Sequence, residues 1–261
     1  MFQNLKAAAA VLLVVAMLVG LTACSGGESS GDSARAAAAS VGSESTGDSS
    51  GNLVSGAVYK GLVKGSSIKA YLVNSDGSQG MEIGRTTAHT TSGNYKMNIG
   101  AHSGPIWVVA TGGTFVDEAT GATLTLNHAM WALAPSVPGT NVLTVRLTPL
   151  STMAARLALR QIEGGARVAT AITNANVSIG KYFAINNITT TVPASMSVPT
   201  ASPASQGARV GSLLSGISQL AANLGVAPDA LAAAMAEDAA DGIFNGMDDG
   251  NLITIPGGPV L

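Results

Sequence analysis

From Leu53 onward the chain alternates. Apolar side chains, with Gly56 keeping the register, fall on every second position in Val54-Gly56-Val58, Ile68-Ala70-Leu72, Tyr95-Met97-Ile99 and Leu143-Val145-Leu147, with Ser, Lys, Asn, Thr or Arg among the residues between them. A period of two puts one row of side chains on each face of an extended chain, so each stretch predicts a half-buried strand. Residues 105–110 (PIWVVA) are apolar at both parities, as a central strand would be. Turn chemistry separates these runs at Gly61, Gly65, Asn74 to Gly77, Ser92-Gly93-Asn94 and Gly112-Gly113. Several short strands at this spacing, with no interleaved helix, predict a β-sandwich over residues 52–147.

After Thr148 the period becomes helical. Thr148 suits an N-cap, Pro149 suits the first helical position, and Leu150, Met153, Ala154 and Leu157 share a face before Gly164-Gly165 closes the run. A second helix is expected over residues 166–179. The stretch 189–207, rich in Thr, Ser and Pro, reads as an irregular connection. The clearest helix places Val210, Leu213, Leu214, Ile217, Leu220, Ala221 and Leu224 on one stripe, with Gly225 behind it. Pro228 opens a fourth, short helix to about Ala240. Residues 148–251 thus form a small helical region that needs a partner for its apolar faces, and 252–261 is a tail.

The first residues change the picture from fold to location. Residues 1–6 carry one lysine, and Ala7 to Leu21 (AAAAVLLVVAMLVGL) is unbroken apolar chain. This is the order of an export signal. A membrane-spanning helix is the alternative, but it needs roughly 20 apolar residues. Leu21-Thr22-Ala23-Cys24 resembles the lipobox of bacterial lipoproteins, in which the cysteine thiol receives diacylglycerol and becomes the new N-terminus. Cys24 is the only cysteine, so it has no disulfide partner within the chain. The resemblance makes residues 1–23 a lipoprotein signal peptide and Cys24 the site of a lipid anchor, with the membrane as a partner. Ser25 is not Asp, which is similar to the outer-membrane sorting pattern of Gram-negative lipoproteins. Residues 25–51 are dominated by Ser and Gly and cannot bury enough surface to offset ordering entropy. They read as a flexible tether with a typical span near 30 Å.

Removing the one lysine ahead of Cys24 takes the net charge from −2 to −3. A mildly acidic chain with no basic cluster argues against nucleic acid. With no further cysteine, the fold rests on its core rather than on disulfides.

Val54–Val58 (VSGAV), Gly61–Val63 (GLV), Gly65–Tyr71 (GSSIKAY) and Thr91–Tyr95 (TSGNY) resemble the carboxypeptidase regulatory-like domain. Its pattern reads V-x-G-x-V, then G-x-x-V-x-V, then T-x-x-G-x-Y. The following Leu147–Ala155 (LTPLSTMAA) is similar to a segment found after such domains in multi-domain bacterial surface lipoproteins. The resemblance implies a transthyretin-like, carbohydrate-binding-like Greek-key sandwich without catalysis, followed here by the helical region. It carries no binding residues that map onto this chain.

The search for chemistry yields candidates rather than a motif. His89, His102 and His128 have no metal-ligand spacing, and no P-loop or HExxH is present, so neither an enzyme nor a cofactor is expected. Asp117-Glu118 offers a cation or sugar-hydroxyl contact, or simply a solvated acidic turn. The acidic tail around Glu237, Asp238, Asp241, Asn245, Asp248 and Asp249 has calcium-type oxygens but lacks EF-hand order. Asp238, Asp241 and Asn245 recur at helical spacing and fit a capped helix end better than calcium. Trp107, Trp131, Tyr59, Tyr71 and Tyr182 are potential sugar-stacking surfaces or core residues. By strand parity Tyr59 and Tyr71 oppose Val58 and Ala70, which makes them the first binding candidates, as an exposed pair rimmed by Lys60 and Lys69. The expected function is a non-catalytic binding or adhesion module for a glycan or an envelope protein. The alternative is a structural or envelope-assembly lipoprotein whose helices dock a protein partner.

Overall fold

Alternation at Leu53 does become a strand, and that strand organises a sheet. The structure, a computed structural model of the full chain, describes residues 51–139, 142–195, 202 and 204–261. The leader, Cys24, almost all of the tether and part of the 189–207 connection lie outside the described residues. Strand β1 (Leu53–Tyr59) pairs antiparallel with β2 (Leu62–Val63) and with β5 (Asn94–Asn98), and parallel with β10 (Leu143–Thr144). A second, fully antiparallel sheet runs β4-β3-β6-β9, with β3 at Ser67–Val73, β4 at Gln79–Thr87, β6 at Ile106–Thr111 and β9 at Met130–Ala134. Two small hairpins complete the described strands: β7 (Thr114–Val116) with β8 (Thr123–Thr125), and β11 (Met247–Asp248) with β12 (Asn251–Leu252).

Among the described residues the chain is thus sheet from Leu53 to Thr144, antiparallel except where β1 meets β10, and mainly helical beyond it, with no closed barrel. Side chains from both sheets enter one core. Val54 and Val58 of β1, Tyr95 and Met97 of β5, Ile68 and Ala70 of β3, and Ile106 and Val108 of β6 are all buried in it. Gly56 shows why glycine sits between the two valines. A Cβ there would lie 1.8 Å from the Val145 carbonyl oxygen, so only a bare Cα admits the β10 side of the sheet. Tyr95 lies beside it and donates its hydroxyl to the same oxygen at 2.6 Å.

The β4-β3-β6-β9 sheet buries its other face as well. Tyr71 and Val73, Trp107 and Val109, and Trp131 and Leu133 point away from the first core into a second one, built with the helices. Its edge strand β9 is covered by α1 (Pro149–Glu163), whose Ser151 and Thr152 hydroxyls meet the Trp131 backbone. That contact blunts the edge against pairing with another chain. Thr148 caps α1 through a reciprocal box with Ser151, and Pro149 stands in the first turn, as the sequence predicts. Helix α2 (Val168–Tyr182) begins two residues later than expected and ends three later. Helix α3 (Gln206–Leu224) starts at the Ser205 cap and stops at Gly225, whose φ of 69° is the left-handed cap glycine tolerates. Helix α4 (Pro228–Asp238) follows. The tail is folded into the structure: Ile253, Ile255 and Leu261 are buried in the helical core.

Candidate functional site

Strand parity places Tyr59 and Tyr71 opposite Val58 and Ala70, as expected, but the opposite face is not open. Both tyrosines are half-buried and pack against the helical core. They also belong to different sheets, so they do not stand on neighbouring strands. The correction has one cause: the amphipathic helices cover the face that parity alone leaves to solvent. Of the proposed rim, Lys69 is partly exposed and pairs with Glu82, while Lys60 is fully buried.

Lys60 instead joins three distant segments. Its ammonium donates to Glu118 Oε2 at 3.1 Å, to the Leu214 carbonyl at 3.3 Å and to Ser218 Oγ at 2.5 Å. Ser218 donates in turn to Glu118 Oε2 at 2.7 Å, and the Gly61 amide donates to Glu118 Oε1 at 2.7 Å. Burial holds the Lys60 amine below its ordinary value against the pull of Glu118. The three ammonium protons have three acceptors, and the Phe115 ring lies 5.9 Å from Nζ. This is a weld between the β1–β2 turn, the segment after β7 and helix α3. The Asp117-Glu118 pair is tied into the fold although Glu118 reaches solvent: Glu118 serves the weld, and the buried Asp117 accepts from the Thr120 amide and hydroxyl.

A site with room for a ligand lies elsewhere. A cleft of about 360 Å³ opens between β9, α1, α4 and the tail, near the lower limit for small-molecule pockets. Ala233, Ala234 and Ala236 of α4 leave this space because their side chains stop at Cβ. Its polar wall carries His128, Arg156, Glu237 and Thr254 beside the indole of Trp131. Every one of the first three is held. Asp229, in the first turn of α4 and almost wholly buried, accepts from the Asn127 amide (2.7 Å), the His128 amide (2.8 Å) and His128 Nδ1 (3.2 Å). With Nδ1 so engaged, Nε2 is the ring atom that can meet a ligand. The Arg156 guanidinium lies 4.4 Å over the Trp131 ring and pairs with Glu237 across α1 and α4. Trp131 is braced from behind by Trp107, edge to face at 5.3 Å. Burial pushes the Glu237 carboxyl above its ordinary value, while Arg156 pulls it down.

The remaining candidates have local work. Asp238 accepts from the Asn245 and Gly246 amides, Asp241 from the Ile243 amide and Asn245 from the Met247 amide. The oxygens considered for calcium thus shape the turn after α4, and among the described residues no group of three His, Cys, Asp or Glu is arranged to hold a metal. His89 is exposed and accepts from Thr91, and His102 contacts the Pro105 carbonyl. Tyr182 packs against Phe183 and Phe244. Sequence reasoning found no metal-ligand spacing at His128 and did not single out Arg156. Neither has a telling neighbour in the chain, since Asp229 is 101 residues from His128.

Among the described residues no single helix is long and apolar enough to cross a membrane. No protein-family model matches the chain, and neither a curated protein nor a solved structure matches it.

Proposed function

We propose that the chain is a lipid-anchored protein of the bacterial cell envelope, held at the outer membrane through Cys24. Its folded part is then a non-catalytic binding module of transthyretin-like Greek-key type, with a carbohydrate as ligand. The reading of the anchor rests on the leader and the lone cysteine. That of the sandwich rests on two sheets sharing one core and on the V-x-G-x-V and T-x-x-G-x-Y positions, where Gly56 and Tyr95 meet at Val145. The observation that carries the ligand class is the cleft itself. It combines an indole and an alanine wall with hydrogen-bonding side chains held in place by neighbouring carboxylates, the mix that a hydroxylated ring with apolar faces requires.

The full chain on a glycan array, compared with Arg156→Ala, tests this. Retention of a saccharide by the wild type and its loss in the variant support the reading; equal retention by both places the site elsewhere. For the anchor, Cys24→Ser is expected to move the protein out of the membrane fraction and to abolish palmitate labelling. Labelling that persists overturns it.

A second reading, an envelope-assembly protein that docks a partner, has its own support. Tyr182, Ile243, Met247 and Leu252, on α2 and the segment after α4, are each more than a third exposed. Cross-linking in intact envelopes that captures one defined protein through this segment, with no saccharide retained on the array, would favour it.

A further inference from the structure

Every group near the cleft that can carry a positive charge already has a carboxylate beside it. Arg156 is paired with Glu237, His128 with Asp229, and Arg160, the next cation along α1, with Asp248 and Asp249. Asp229 is locked by three donors and cannot leave. Glu237 is different, because its side chain is 38% exposed and it faces the cleft.

We propose that Glu237 is an anion filter: by holding the Arg156 guanidinium it closes the cleft to acidic ligands and selects neutral or amino-bearing sugars. The inference rests on the carbohydrate reading above. Its physics is a competition for one cation. Arg156 has one face on Trp131 and one edge on Glu237, which leaves N–H donors for hydroxyl oxygens. A hydroxyl accepts from them without disturbing the pair. A ligand carboxylate must either displace Glu237, stranding a half-buried acid, or sit beside it as a like charge. An ammonium substituent gains from Glu237 instead.

The test is calorimetric titration of the full chain in detergent micelles with glucose, glucosamine and glucuronate, on the wild type and Glu237→Gln. The wild type is expected to bind glucuronate about tenfold more weakly than glucosamine, and Glu237→Gln to reverse that order. Added salt should narrow the difference in the wild type, because the rejection is electrostatic. This measurement stands even if the variant proves unstable. An unchanged order in Glu237→Gln, or wild-type preference for glucuronate, overturns the filter while leaving carbohydrate binding intact. Failure of all three sugars to bind overturns the carbohydrate reading and the filter with it.

Discussion

Two lysine- or arginine-to-glutamate pairs in this molecule have similar chemistry and opposite uses. Lys60 is wholly buried and the Glu118 side chain is 21% exposed, whereas Arg156 and Glu237 are each about a third exposed. Around Lys60 and Glu118 the three ammonium protons and both carboxylate oxygens are engaged by protein. Around Arg156 and Glu237 one flank is indole and the other is cleft. Burial turns the first pair into a joint between layers. Partial exposure leaves the second available for recognition. An ion pair's role is thus set by what surrounds it rather than by its residue types.

The comparison is broken most severely at the weld. Glu118→Ala leaves a buried ammonium without a counter-charge, and a loss of about 3–5 kcal/mol is expected in chemical denaturation. Lys60→Met should cost less, because Glu118 keeps the Gly61 amide and some water. The pH dependence gives a second signature. The folded-state pKa of Lys60 lies below its unfolded value, so in the window between them the unfolded chain binds more protons. The cost of burying the charge is therefore relieved as pH rises toward 10.5, and the relief should be larger in Glu118→Ala, where Glu118 no longer opposes the shift.

Asp229→Ala comes next, with an expected loss of about 1–3 kcal/mol, since it strands two backbone amides and the His128 ring nitrogen. It should also weaken sugar retention by loosening the cleft wall, which Glu118→Ala should not do. Tyr95→Phe supplies a neutral comparison. The buried hydroxyl donates one bond, so about 1 kcal/mol is expected. Burial raises the Tyr95 pKa well above 10. Its contribution is present below pH 10 and is lost as the pH rises further, because the unfolded chain ionises first. Tyrosinate absorbance should show one tyrosine titrating only on unfolding. The smallest loss of stability, below about 1 kcal/mol, is expected for Arg156→Ala, a partly exposed pair with one cation–π contact. That same substitution should have the largest effect on binding. A large drop in melting temperature for Arg156→Ala would make the second pair a weld like the first.

Periodicity alone made part of the fold legible. Strands β1, β3 and β5 repeat every two residues and bury one row against the opposite sheet, and β6 is apolar on both faces because it lies between two cores. The α1 cap, its proline and the Gly225 stop are local chemistry and read directly. Strand β9 (MWALA) was not legible: it is apolar throughout, so no alternation marks it. Strand β4 carries two glycines and pairs with β3 through irregular register, which interrupts its pattern.

The binding candidates mark the boundary between the two sources of information. Sequence determined that Tyr59 and Tyr71 face away from the sheet core, because side-chain parity is a property of neighbouring residues. Tertiary structure decided that helices cover that face. Likewise sequence determined a lone cysteine behind an apolar leader and a set of amphipathic helices in need of a partner. Only tertiary structure brought Lys60 to Glu118 and Ser218, 58 and 158 residues away, and seated Arg156 between Trp131 and Glu237. A repeat of two or 3.6 residues fixes which face a side chain takes within its own element. The charge that meets it there depends on how separate elements pack, and no short-range pattern encodes that.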